Sequence, residues 1–482
     1  MSEVSLDAVF AMEGGRLTVI TRIIKMAGTD SFGQTADSSP RYAKPIEEQR
    51  SNRTADATLS AEKARRKSLI RGVLGVSFEY YDFVVYATFA PYFSRLFFPQ
   101  DSALAASLNV LGIFAIGFLA RPVGAMLAGR LADRFGRKPI MLCALMLATL
   151  GSLVIACAPT YGSIGAAAAF VLVAARLMQG LAHGMESISA FVYVGEMADP
   201  KWRTLQSCAY PIGLILGIIQ GTLFGVILSS VLSTEDMQGW GWRIPFAIGV
   251  LYGLLTLFLR HGMNESSTFE DSKRQAQLED NGYWRTIWQY RKTVLILFLI
   301  WPANYVASYT MLVTFGDYAI TMLGAKPQDA YWAVLVAQVM YLFMLPVWAY
   351  ISDRRGRRFN YTVGFGAIFL LVYPLQHFLL GPSFLQILLP MAIGLFFFAA
   401  VASTEVAFMS ELVPNRVRAQ VISIPSSVSA VIFGGTAPYL KSWLTAYISP
   451  NAFIFYFMAL AFIAVLAVRF LVKETRGRDL AH

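Results

Sequence analysis

The sequence predicts an all-α membrane protein of about twelve crossings, arranged as two pseudo-symmetric six-helix bundles. Three observations lead there. Of 482 residues, 56% are hydrophobic and only 15% charged, and the mean hydropathy is +0.53, well above the balance of soluble globular chains. A cluster of four cations and one acid (Arg130, Asp133, Arg134, Arg137 and Lys138, within Gly129 to Pro139) lies between two long apolar runs. Such a cluster cannot sit in hydrocarbon, so it reads as a short turn at a membrane surface. A weaker copy, Asp353-Arg354-Arg355-Gly356-Arg357-Arg358, places Asp353 220 positions after Asp133. A second signature also repeats: Glu196 to Arg203 and Glu411 to Arg418 share one seven-residue step and lie 215 positions apart. Two signatures at nearly one spacing imply a duplicated six-helix unit.

Taken in order, residues 1–64 mix Ser, Thr, Asp, Arg and Pro without a sustained apolar period and read as a disordered cytoplasmic tail. Residues 17–26 are amphipathic, either a surface anchor or plain extension, and Arg22 and Lys25 interrupt them too often for a signal-peptide core. A crossing needs about twenty mostly apolar residues. The first half, 65–261, offers runs at 69–97, 104–127, 140–158, 166–198, 206–232 and 242–259. The first run carries Glu79 and Asp82, the second and third flank the charged turn, and the fourth holds Arg176, His183 and Glu186. The fifth has no charged residue, and the sixth opens on Trp242 and Arg243. Residues 262–292, with Glu265, Glu270, Asp271, Lys273 and Arg274, read as a soluble cytoplasmic linker. The second half, 293–472, offers 293–323, 330–352, 361–380, 384–412, 419–448 and 453–472, with the second charged turn in the equivalent place and Glu405 inside the fourth run. Residues 473–482 form a short tail.

Threading twelve runs puts the cations of the charged turns and the C-terminal tail on one side and leaves only Arg95, Arg243, Lys326 and Lys441 on the other. Short Lys/Arg-rich loops favour the cytoplasm, so both termini are expected there, in a cell inner plasma membrane. The same bias accounts for the net charge of +10, and nucleic acid is not an expected partner. Cys143, Cys157 and Cys208 show no paired spacing, so no metal, disulfide or cofactor is expected. The chain has no Gly-Lys pair, no Gly-x-Ser-x-Gly and no His-Glu-x-x-His, which argues against a P-loop pump and against common hydrolases. The expected partners are a small solute, protons and the bilayer, with the protein acting as a monomer.

Gly129, Asp133, Arg134, Gly136, Arg137 and Lys138 satisfy Gly-x-x-x-Asp-Arg-x-Gly-Arg-Arg/Lys. That pattern is the hallmark, between crossings two and three, of the major facilitator superfamily, which the chain resembles from about residue 65 to 473. More narrowly, it looks like the metabolite:proton symporter branch, with its permeases for citrate, α-ketoglutarate, shikimate and proline/betaine. The stretches that carry this are Glu79 to Phe83, Gly117 to Gly124, Arg176 to Gly180 with Glu186, Gly241 to Phe246 and Phe433 to Pro438. The departures are His183 and Met185 beside Glu186, Glu405 in crossing ten, and Pro425, Ser426 and Ser427 in crossing eleven. These crossings help line the central cavity in the superfamily, so the departures bear on the solute more than on the fold. The resemblance implies a major facilitator fold working by alternating access, which fits the plan of repeats facing a midplane site. It further implies proton-coupled symport of a small metabolite, led by organic acids. A zwitterion or amine symporter and a multidrug exporter are the alternatives, and a non-transporting sensor is the rival from another class.

An ionised side chain at a helix centre costs roughly 2.5–3.5 kcal/mol on insertion scales, so intramembrane charges are functional candidates. Glu79 and Asp82, three apart on one helix, are expected to repel and to couple protons, or else to pair with a buried cation. His183 and Glu186 are further proton-coupling candidates. Arg121 offers a rigid fork to a solute carboxylate, or pairs with Glu79 or Asp82. Arg176 is read as a substrate-binding candidate for which internal pairing is the stronger reading. Glu405 meets a cationic group, supplies a proton site, or pairs with a neighbouring cation. Tyr86 and Tyr305 are cavity-lining candidates, although interfacial packing explains most such aromatics. By resemblance, Gly129, Asp133, Arg134, Gly136, Arg137 and Lys138 form a gate, and Asp353, Arg354, Gly356 and Arg357 form its copy. There an acid can meet the positive N-terminus of a neighbouring helix, as opposed to arginines that only set topology.

Overall fold

The computed structural model describes residues 74–99, 103–135, 137–196, 198, 200–261, 283–414 and 417–478. The predicted tail 1–64 and most of the predicted linker lie outside the described residues. Twelve long helices follow one another, and no β-strand occurs among the described residues. They are α1 (74–97), α2 (Ala103–Phe135), α3 (Arg137–Ala156), α4 (Ala167–Glu196), α5 (Arg203–Val231), α6 (Arg243–His261), α7 (Arg291–Val313), α8 (Pro327–Arg355), α9 (Arg357–Leu379), α10 (Phe384–Leu412), α11 (Gln420–Tyr447) and α12 (Ala452–Leu471). Ten of them are long and apolar enough by themselves to cross a bilayer, and α6 joins the short segment Thr234–Gly241 at a 43° bend. Large apolar side chains such as Phe170, Phe258, Leu370 and Phe470 are exposed on the outer surface, as expected where lipid is the solvent.

The charged turns are far shorter than the sequence reading expects. α2 has 33 residues, about 50 Å at 1.5 Å per residue, against a hydrocarbon core of about 30 Å. The helix therefore carries Asp133 and Arg134 on its own overhanging end, and α3 starts at Arg137, leaving one residue between them. The copy behaves likewise: Gly356 alone separates α8 from α9, with φ of 102°, a region that favours glycine. A Cβ there would also collide with the Glu474 carboxylate, which accepts the Arg357 and Arg358 backbone N–H groups at 2.9 and 3.2 Å. Two further boundaries differ. α7 ends in a π-helical turn at Ser308–Val313 and is followed by a separate short helix, Phe315–Thr321, where one run to 323 is expected. Part of the expected linker, Tyr283–Gln289, is helical.

The duplication is visible in the packing. Within the first half α2 packs on α4, and α3 on α4 and α6; within the second, α8 packs on α10, and α9 on α10 and α12. The halves meet by exchange of equivalent elements, α5 against α8 and α2 against α11. The α2/α4 crossing depends on small residues: a Cβ on Gly180 would run into the Gly117 carbonyl, and one on Gly184 into that of Arg121. Gly180 and Gly184 are four apart on one face, the spacing that lets membrane helices touch backbone to backbone. That contact brings Arg121 of α2 beside the polar face of α4.

Candidate functional site

In the first half, α4 presents Arg176, Gln179 and His183 at steps of three and four, hence on one face. α1 presents Glu79, Asp82, Phe83 and Tyr86 toward it, and α3 adds Ser152. Arg176 Nη1 donates to Gln179 Oε1 at 2.8 Å, Gln179 Nε2 donates to Ser152 Oγ at 3.1 Å, and Ser152 Oγ donates to Asp82. A buried cation is thus linked to a buried carboxylate through two neutral side chains, every bond running the same way. Asp82 Oδ2 and Arg176 Nε and Nη2 have no hydrogen-bond partner among the described residues. The Arg176 guanidinium instead lies over the rings of Tyr86, Phe83 and Phe114 at 4.2, 4.7 and 5.0 Å from their centroids, contacts that strengthen when desolvated. Tyr86 therefore sits under Arg176, with its hydroxyl donating to the Val110 carbonyl at 3.3 Å.

Glu79 Oε1 lies 2.5 Å from His183 Nδ1. Both line a small crevice with Asp82, Phe78, Leu145 and Ala148. The two α1 carboxylates take hydrogen-bond partners on different helices. A three-residue step turns the helix by about 300°, so side chains diverge by about 60°. Glu79 reaches α4 and Asp82 reaches α3. The backbone of Glu186 lies in α4, but its side chain is outside the described residues.

Between the halves a second set of groups converges. Arg121 Nη1 donates to the Tyr309 hydroxyl of α7 at 3.2 Å, and its guanidinium lies over Phe118 and Phe83 at 4.0 and 4.5 Å. Arg121 makes no ion pair among the described residues, and its Nε is unpartnered. Tyr309 stacks on Tyr305 with centroids 6.3 Å apart, and Tyr305 approaches Trp301 at 6.5 Å, an aromatic ladder up one face of α7. The Tyr305 hydroxyl pairs with Ser426 of α11 at 2.8 Å. At the far end of the ladder, Trp301 Nε1 and Asn304 Nδ2 donate to Glu405 Oε1 at 2.7 and 3.0 Å. Tyr210 of α5 lies within electrostatic reach of Glu79, Glu405, Tyr305 and Tyr309, which joins the two sets. Arg121, Tyr210, Tyr305, Glu405 and Ser426 are all only half-buried. Ser152, Gln179, Tyr210 and Asn304 escape the sequence reading. Gln179 has one signal in hindsight, its place three residues after Arg176 inside the quoted motif.

The arginine-rich ends of the helices form a clasp. Asp353 at the end of α8 accepts the backbone N–H groups of Thr204 and Leu205, at the start of α5, at 3.1 and 2.9 Å, where a helix presents its positive pole. Arg357 donates to Asp353 at 2.7 Å and grips Glu411 with two nitrogens at 3.0 and 2.8 Å. Arg203 of α5 donates to the same Glu411 at 3.0 Å, and Thr475 does so at 3.0 Å. Arg354 stacks over Tyr350 and Trp202 at 5.2 and 5.8 Å. Glu411, known to the sequence reading only as part of a repeat, is the hub. Of the first copy, Gly136 is outside the described residues and the side chains of Gly129, Asp133, Arg134, Arg137 and Lys138 are likewise not described.

Two duplicated bundles, a clasp built from the repeated motif and polar groups meeting between the halves are what a rocking transporter needs. The sequence matches the Major Facilitator Superfamily over residues 72–430 and 303–481. The chain belongs to that superfamily. It is 30% identical over 434 residues to the alpha-ketoglutarate permease of Escherichia coli (strain K12), covering 89% of this chain and 99% of the relative. It is 29% identical over 428 residues to a putative proline/betaine transporter of Staphylococcus aureus (strain COL), covering 88% and 91%. Among solved structures, the xylose transporter XylE from E. coli, in a partially occluded inward open conformation, superposes with a TM-score of 0.65 at 18% identity, over 86% of this chain and 98% of that one. The protein is thus a multi-pass membrane transporter of the major facilitator fold and not an enzyme.

Proposed function

We propose that this transporter is a proton-coupled symporter for a small organic acid, working by alternating access as a monomer in an inner membrane with both termini in the cytoplasm. The observation that carries the solute reading is Arg121: a guanidinium between the halves, held by one phenol and two ring faces and in no ion pair among the described residues. A carboxylate on the solute supplies the missing partner, in the bidentate geometry that suits a guanidinium. Binding between Arg121 and the α7 ladder touches both halves at once, so the solute can bias the rocking equilibrium only through contacts that differ between its two states. Proton coupling is assigned to Asp82 and to the Glu79–His183 pair, acids within the membrane that a change of conformation exposes to one side or the other. The Asp82 relay gives a route for the effect: protonating Asp82 loosens its bond from Ser152 and, through Gln179, the placement of Arg176. The clasp at Asp353 and Glu411 closes the end assigned to the cytoplasm. The α-ketoglutarate permease among its relatives favours the same solute class.

Glu405 favours a second reading. Its only described partners are neutral donors, so an ammonium on the solute would find a counter-charge there while its carboxylate met Arg121, as in a zwitterion. The deciding experiment is uptake into sealed vesicles under an imposed pH gradient, with di- and tricarboxylates and betaine-like zwitterions as competitors. Acid-driven uptake blocked by dicarboxylates supports the proposal. Block by zwitterions alone moves the assignment to the second reading, and no flux under any gradient removes transport of either class.

A further inference from the structure

Away from Arg121 and Glu405, a partly open cavity lies in the second half between α7, α9, α10 and α12. Its walls are mostly apolar, among them Ile368, Leu371, Met391, Phe397 and Phe457, with Thr310 and Gln376 as polar exceptions, and α11 contributes a single charge, Lys441. Lys441 is 5% exposed. Its Nζ lies 4.3 and 3.7 Å from the ring centroids of Phe315 and Tyr318 and has neither a hydrogen-bond acceptor nor an ion-pair partner among the described residues. Asp317, 1% exposed, is within electrostatic reach of Lys441, yet its Oδ1 also lacks a hydrogen-bond partner, and Asp317 does not line the cavity.

An ammonium brings three donors, and a buried charge without hydrogen bonds is costly. Two ring faces and a carboxylate beyond contact leave those donors unused at the edge of an otherwise oily void. We propose that this cavity binds a single-chain aliphatic carboxylate drawn from the lipid phase, with its head group on Lys441 Nζ and its chain between α9, α10 and α12. The charge on the wall selects an anion over an alkyl cation or a neutral alkane. One compact ammonium at the head of a narrow apolar crevice suits a carboxylate on a single tail better than a diacyl phospholipid with a bulkier head. Asp317 has the opposite effect: its charge balances Lys441 when the cavity is empty and repels an arriving anion, so it limits affinity. This site shares no residue with the proposed solute and proton sites, and it stands whether or not those assignments hold.

The test is equilibrium binding of radiolabelled dodecanoate to the full chain in phosphatidylcholine nanodiscs, with dodecyltrimethylammonium and dodecyl phosphate as competitors. Saturable binding is expected, weakened at least tenfold in Lys441→Gln and tightened several-fold in Asp317→Asn. Because Lys441→Gln can fail by misfolding, Ala367→Phe, which fills the cavity and leaves Lys441 intact, serves as an independent variant with the same expected loss. Unchanged binding in folded Lys441→Gln or Ala367→Phe, or competition by the alkyl cation as strong as by unlabelled dodecanoate, overturns the proposal. Weaker binding in Asp317→Asn overturns it too, and tighter binding of dodecyl phosphate overturns the carboxylate head group.

Discussion

Arg121 of α2 donates to the hydroxyl of Tyr309 in α7, 188 positions along the chain and in the opposite half. Because the bond joins the two halves, it reports on the proposed solute site and on the closure of the halves together. Removing the cation should cost the charge-assisted contact to the solute, roughly 1.5–3 kcal/mol. Arg121→Ala should therefore raise the half-saturation concentration for a carboxylate at least tenfold. Tyr309→Phe removes only a neutral bond of about 1 kcal/mol and should shift it severalfold at most. Equal defects in the two variants in vesicle uptake would show that Arg121 acts as packing and not as a ligand.

For proton coupling, Asp82→Asn should abolish uphill accumulation under a pH gradient while sparing solute exchange, since exchange completes the cycle without reloading the proton. Ser152→Ala, which takes away the donor to Asp82, should weaken accumulation in the same direction with exchange intact. Paired measurements of gradient-driven uptake and counterflow separate the two activities. Normal accumulation in Asp82→Asn would move the coupling role to the Glu79–His183 pair.

Glu411 is shared by Arg203 and Arg357, both buried. Breaking one partner of such a buried cluster typically costs about 3–5 kcal/mol, and here the loss falls on the clasped state. Glu411→Gln should therefore open that end of the molecule. Cys208, buried close to the clasp, is a native reporter. After Cys143→Ser and Cys157→Ser remove the exposed thiols, maleimide labelling of Cys208 should rise severalfold in Glu411→Gln. Labelling no faster than in the parent would mean that the clasp does not gate access.

The α2/α4 contact makes a contrast between two glycines. Gly180→Val must push apart backbones that already touch, so little folded protein is expected in detergent. At Gly112 a Cβ would meet nothing within 4 Å, and replacing glycine by alanine inside a helix usually gains about 0.5–1 kcal/mol. Gly112→Ala should leave yield unchanged and raise the melting temperature slightly. Monodispersity and thermal melts check both.

Long apolar runs and the spacing of Asp133 to Asp353 made the architecture legible, because crossing length is dictated by the bilayer and a duplication repeats its punctuation. Helix ends were legible only within several residues. The charged motif reads as a loop to a hydropathy argument, although nothing stops a helix from continuing into water, as α2 does to Phe135. Charged members of the site stood out because each is an anomaly in hydrocarbon. Their neutral partners did not. Ser152, Gln179, Tyr210 and Asn304 are single polar residues in apolar helices, and only the packing of α1 on α3 and α4, or of α7 on α10, decides which of them meets a charge.

Glu405 yields the sharpest test of solute class. Its carboxylate is bonded by Trp301 and Asn304, which can serve an amide oxygen at position 405 equally well, so Glu405→Gln changes the charge with little change in shape. If the solute carries an ammonium, the variant loses a counter-charge in low-dielectric surroundings, and zwitterion uptake should fall tenfold or more. If the solute is a plain organic anion, removing a negative group opposite Arg121 relieves repulsion, so half-saturation should fall or stay level. The two outcomes have opposite signs in one assay, concentration dependence of uptake with betaine and with a dicarboxylate. Lost uphill accumulation of the dicarboxylate with its half-saturation unchanged would instead make Glu405 a proton site, because a glutamine cannot take up and release the coupled proton.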